Sequence, residues 1–138
     1  MLEIKEEAYP DPVYQNQVLT DMFSSLKPKD DFHILTLRPQ MFKVINFVPK
    51  STFIPIARLN YFKLSKLVRN ENYCGLAGHY FLLTKALLKI HHALHQKVGT
   101  GYISSKNCLF RELNRGVEWI FSNNAAELQR LVHYQLES

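Results

Sequence analysis

The hydrophobic period changes at Asn60, and that change limits the folds open to the chain. Before it, the runs "FHILTL", "FKVINFV" and "STFIPIARL" are β-branched and aromatic, as strands are. After it, apolar residues recur at threes and fours and strand signals vanish, as in helices. The first two runs are joined by "RPQM" and read as an antiparallel pair. Pro55 places the third strand at an edge, because proline cannot donate to the ladder. These runs predict a small three-stranded antiparallel meander over about residues 32 to 59.

Helical signals surround it. Asp11 is a natural N-cap, Pro12 suits the first helical position and Pro28 lies beyond the end, predicting a helix over about residues 12 to 26. Tyr61, Leu64, Leu67 and Val68 mark a short helix. Leu76, Tyr80, Leu83, Leu87, Ile90 and Leu94 mark a long one that ends at Gly99-Thr100-Gly101. Leu109 to Phe121 form another, starting near Ser104 or Ser105, and Asn124 opens the last. The expected fold is therefore α+β: an N-terminal helix and a three-stranded antiparallel meander, followed by a cluster of about four helices.

At 138 residues, the chain is read as one domain, 1–138, able to bury a core of its own. The acidic start "MLEIKEEAY" lacks the basic, apolar pattern of a signal peptide. The most apolar window, from Leu76 to Leu94, is interrupted by charge and histidine, so no membrane association is expected. Two cysteines, Cys74 and Cys108, suit a reducing compartment, and the cytoplasm is the expected location.

The stretch "KIHHALHQK" places three histidines within five residues. On a helix, His91 and His95 would flank the buried face one turn apart, while His92 would join Lys85 and Lys89 on the solvent side. "HHALH" fits the frame of the zinc-protease helix, but His92 stands where its general base would be and no third ligand is specified. No metal is therefore assigned. Cys74 and Cys108, near helix starts, lack a fixed spacing to any histidine and read as packing residues. The acidic N-terminal cluster suits solvation better than a site, and "GTGY" lacks the spacing of a phosphate loop. No catalytic residue and no cofactor is assigned.

Charge is the least generic feature. Residues 1 to 31 carry seven acids and three lysines, whereas residues 32 to 115 carry thirteen Lys and Arg against only Glu71 and Glu112. Such a basic centre is the electrostatic footprint of a polyanion ligand. It predicts a small, basic, non-enzymatic binding or regulatory protein that contacts nucleic acid, DNA included, through the phosphate backbone. The contacting residues would be Lys63, Lys66, Arg69, Lys85, Lys89 and His92. The alternative is an oligomeric adaptor or inhibitor that binds a protein partner, or a second copy of itself, through the aromatic surface around Trp119 and Phe121.

Overall fold

The computed structural model describes residues 1–136. It contains a six-stranded sheet in which every neighbouring pair is parallel and the spatial order follows the chain. The strands are β1 (Leu2–Glu3), β2 (Ile34–Thr36), β3 (Phe53–Ala57), β4 (Gly75–His79), β5 (Lys97–Gly101) and β6 (Trp119–Phe121). The helices are α1 (Pro12–Met22), α2 (Tyr61–Glu71), α3 (Lys85–Ala93), α4 (Lys106–Asn114) and α5 (Ala125–Leu136). The antiparallel meander and helical cluster expected from the sequence are thus replaced by a parallel α/β architecture.

The sheet curls strongly. The ring of His33, just before β2, meets that of Trp119 on β6 at 4.9 Å between centroids. Four strand spacings in a flat sheet would separate them by roughly 19 Å, so the sheet closes toward itself as a half-barrel. On its outer face Ile4, Ile34, Phe53, Leu76 and Val98 pack against Leu64, Val68, Leu87 and Leu88 of α2 and α3. The concave face holds a smaller cluster of Leu35, Ile54, Cys74 and Ala77 with Trp119 and Phe121.

Each departure from expectation has a local cause. "FKVINFV" does not form a strand: a 3₁₀ turn covers Pro39–Lys43, and Phe42 stacks on Phe53 at 4.3 Å, so its apolar content fills core without pairing. Pro55 lies in an interior strand, at a handover point. β2 ends opposite it at Thr36, and pairing with β4 begins at Ile56, so the missing N–H interrupts little of either ladder.

The predicted long helix splits into β4, a 3₁₀ turn at Tyr80–Leu82 and α3, which is capped by Thr84, whose hydroxyl accepts from Leu87 N. The supposed helix terminator Gly99-Thr100-Gly101 belongs to β5. At Gly99 the lack of a side chain makes room for a neighbour: a Cβ there would stand 2.6 Å from the Phe121 ring, which would have to shift. The helix expected through Phe121 ends at Asn114, and its last residues become β6. The N-terminal helix begins at Pro12, with Asp11 accepting from Tyr14 N, and ends at Met22.

The histidines separate by environment. His91 is fully buried: its ring bonds Ser65 Oγ at 2.9 Å through Nε2 and Gln96 Oε1 at 2.9 Å through Nδ1. Since an amide oxygen only accepts, Nδ1 carries the proton and Nε2 accepts from the serine. Gln96 in turn donates to Val68 O at 3.0 Å and Tyr73 O at 3.2 Å. This network ties α2, α3 and the start of β5 together.

Candidate active site

In a parallel sheet, all strands point their C-terminal ends to one rim, and the loops leaving those ends converge there. β1 reads Leu2-Glu3, continuing to Ile4 and Lys5. Leu2 and Ile4 pack into the outer core, so the pleat turns Glu3 and Lys5 to the opposite side. β2 delivers Thr36 and Arg38 to the same level, and β3 delivers Arg58. Glu3, Lys5, Thr36, Arg38 and Arg58 together line a cleft of about 370 Å³.

Local bonding fixes these positions. Leu2 N and Ile4 N donate to His33 O and Leu35 O, both at 2.8 Å, which holds β1 in register with β2. Thr36 Oγ1 accepts from Arg38 N at 3.1 Å, and Asn60 Oδ1 accepts from Arg58 N at 3.1 Å, so each arginine leaves its strand through a side-chain-closed turn. Arg38 forms an ion pair with Glu6. Lys5 and Arg58 add positive charge to the cleft, and Glu3 supplies a carboxylate beside it.

Further around the rim, His79 ends β4. Its Nδ1 accepts from Phe81 N at 3.1 Å, and its ring lies 4.9 Å from Tyr102 and 4.6 Å from Tyr80. Tyr102 has φ +65°, a left-handed conformation uncommon for a bulky residue and often found at functional sites. Among the described residues, no group of three or more His, Cys, Asp or Glu side chains could hold a metal ion.

The residues singled out from sequence lie elsewhere. Lys63, Lys66 and Arg69 are exposed on α2, and Lys85 and Lys89 on α3, the two helices that cover the outer face of the sheet. Lys63 and Lys85 stand near the rim, whereas Arg69 is in the last turn of α2, about 9 Å farther along the axis. His92 does not join them. Its Nε2 lies 3.0 Å from Glu118 Oε1, off the hydrogen-bonding direction. Trp119 and Phe121 are half-buried on the concave face, with Lys97 Nζ 5.4 Å above the indole.

In the sequence, Glu3 and Lys5 fall within a mostly acidic N-terminal segment that by itself suggests only solvation. The signal that could have found them is the alternation Leu-Glu-Ile-Lys, a minimal half-buried strand. Cys74 is buried, and burial raises its thiol pKa above the ordinary value, opposite to the direction a nucleophile needs.

No protein-family model and no curated protein matches the chain. Solved structures do resemble it. A phosphodiesterase of Oleispira antarctica, in complex with the product sn-glycerol-3-phosphate, aligns with a TM-score of 0.75 at 14% identity, over 96% of this chain and 54% of that one. A glycerophosphodiester phosphodiesterase of Parabacteroides distasonis aligns with a TM-score of 0.69 at 16% identity, over 98% of this chain and 56% of that one.

At such identities the likeness shows the fold: a half-barrel of the (β/α)-barrel type. The chain spans little more than half the length of either structure. The expected non-enzymatic role, whether DNA-binding regulator or homo-oligomeric adaptor, is corrected accordingly, because the proteins sharing this fold are described as phosphodiesterases. The expected partners, nucleic acid or a second copy, are withdrawn with it. Among the described residues, no helix is long and apolar enough to cross a membrane.

Proposed function

We propose that this chain builds part of the active-site rim of a barrel-type phosphodiesterase acting on small glycerophosphodiesters. The observation that carries the reading is the convergence of Glu3, Lys5, Arg38 and Arg58 on one cleft at the C-terminal ends of three adjacent parallel strands. In barrels of this type, that end is where active sites lie. The product named for the Oleispira antarctica structure, sn-glycerol-3-phosphate, supports the substrate class.

In this reading Lys5 and Arg58 offset the charge on the phosphoryl oxygens, and that charge grows as a water oxygen bonds to phosphorus and the ester P–O bond breaks. Glu3 accepts the proton released by the attacking water, and the departing alkoxide takes its proton from solvent. Arg38, held by Glu6, shapes the cleft wall. Residues 1–138 act as one folding unit in this reading, and the free thiols of Cys74 and Cys108 fit a cytoplasmic setting.

Titration of the labelled protein with sn-glycerol-3-phosphate, followed by amide chemical shifts, tests the reading. Shifts confined to Glu3–Glu7, Thr36–Arg38 and Arg58, weakened on the order of tenfold by Lys5→Met, are expected. Absence of shifts at these amides up to the solubility of the ligand, or equal binding by Lys5→Met, would overturn it.

A further inference from the structure

Four of the most exposed large apolar side chains stand on the same rim. Leu59 is 89% exposed, Phe62 78%, Phe81 81% and Tyr102 76%. They follow β3, β4 and β5, which are neighbours in the sheet, so their loops lie side by side. Single exposed apolar residues are ordinary, but several gathered at one end of a molecule mark an interaction surface.

The charges around them share one sign. The segments 58–63, 80–85 and 102–106 contain Arg58, Lys63, Lys85 and Lys106 and no Asp or Glu. The segment after β2 adds Arg38, and 122–124 after β6 is uncharged. Acids at this end of the sheet follow β1, where Glu6 is paired with Arg38, and β6, where Glu127 stands in the first turn of α5. The opposite end of the sheet is of mixed sign: Asp30, Asp31 and Glu118 stand there beside Lys27, Lys29 and Arg115, and Glu71, which ends α2, is paired with Lys50.

Lys63, Lys85 and Lys106 also sit in the first turns of α2, α3 and α4, none of which holds an acid there. The helix dipole disfavours cations at that position. Helix stability therefore does not explain three lysines placed alike, whereas an anionic partner at the rim does.

We propose that the rim after β3, β4 and β5 docks on an anionic phospholipid surface, with Phe62, Phe81, Leu59 and Tyr102 entering the headgroup boundary and Lys63, Lys85 and Lys106 facing the lipid phosphates. Aromatic and aliphatic side chains ringed by cations make up the apolar and basic parts of an interfacial membrane contact, and such a contact needs no spanning helix. The proposal stands on the rim alone and does not depend on the chemistry assigned to the neighbouring cleft.

Co-sedimentation of the full chain with phosphatidylcholine vesicles, with and without phosphatidylglycerol, tests it. Binding is expected with the anionic vesicles, weakened by salt and lowered on the order of tenfold or more by Phe62→Ser with Phe81→Ser. Both side chains are exposed, so the fold should survive their replacement, which circular dichroism verifies. The control pair Met22→Ser and Leu94→Ser, exposed at the C-terminal ends of α1 and α3 and so at the opposite end of the sheet, should bind as the unaltered protein does.

Failure to sediment with anionic vesicles would overturn the proposal, as would equal losses in the rim and control pairs. Because the vesicle assay uses no glycerophosphate and the glycerophosphate titration uses no vesicle, either reading can fail without the other.

Discussion

Replacing Gln96 by leucine should destabilise the protein far more than replacing Ser65 by alanine, although both touch the same buried histidine. Gln96 accepts from His91 Nδ1 and donates to Val68 O and Tyr73 O, with all the groups in the interior. Leucine leaves the His91 N–H and the Tyr73 carbonyl without these partners. Val68 O still receives Tyr73 N at 3.0 Å. An orphaned buried group costs about 1–3 kcal/mol, so two give a loss of about 3 kcal/mol, allowing for partial relaxation.

Ser65→Ala removes a donor and leaves only the His91 Nε2 lone pair unmet, a loss of about 1 kcal/mol. Urea unfolding followed by Trp119 fluorescence measures both. Comparable losses for the two variants, or a Gln96→Leu loss below about 1 kcal/mol, would refute the assignment of Gln96 as the network's hub.

Two further outcomes follow from the same structure. Burial lowers the pKa of His91 and of His33 below the ordinary value of 6.5. The unfolded chain therefore binds protons at these sites before the folded one does, and stability should be full above pH 6.5 and decline as pH falls from there through the lowered folded pKa values. Urea midpoints taken across that range check it, and His91→Phe should flatten part of the decline. Substituting Lys63, Lys85 and Lys106 together by glutamate should leave the unfolding free energy unchanged or raise it by about 1–2 kcal/mol, from three favourable dipole interactions. The same variant should no longer sediment with phosphatidylglycerol vesicles, and a loss of stability without loss of sedimentation would contradict the role given to these lysines.

The helices were more legible than the strands because their signal survives burial on one side only. Leu64 and Val68 on α2, and Leu128 with Leu131 on α5, keep a helical spacing because their opposite faces meet water. Strands covered on both faces lose the period of two. β4 reads Gly-Leu-Ala-Gly-His and β5 Lys-Val-Gly-Thr-Gly, compositions with low strand preference. Their glycines are needed for close approach: a Cβ on Gly75 would collide with the backbone of Lys97, and one on Gly78 with the Tyr61 ring.

Once β4 is missed, Leu76, Tyr80 and Leu83 fall by chance into register with the real helix at Leu87, and the 3.6 period is extended too far. The cleft was harder to see, because Glu3, Arg38 and Arg58 lie far apart in sequence and meet only when three parallel strands align. Arg38 and Arg58 could be noted as basic residues at strand ends, but nothing local joined them to Glu3.

Parallel topology also explains why charge and apolar exposure gather at one end of the molecule. Each helix that follows β3, β4 and β5 starts at the rim, so its unsatisfied N–H groups and positive dipole end point there. A chain selected for stability alone would place Asp or Glu in those first turns, each contributing about 0.3–1 kcal/mol. α2, α3 and α4 instead place Lys63, Lys85 and Lys106 there, and Phe62 and Phe81 nearby forgo burial. Three repeated choices against local stability at one rim, beside a cleft with Lys5 and Arg58 in its walls, are explained together if that rim meets phosphate: in the cleft as a small diester, and around it as a lipid surface.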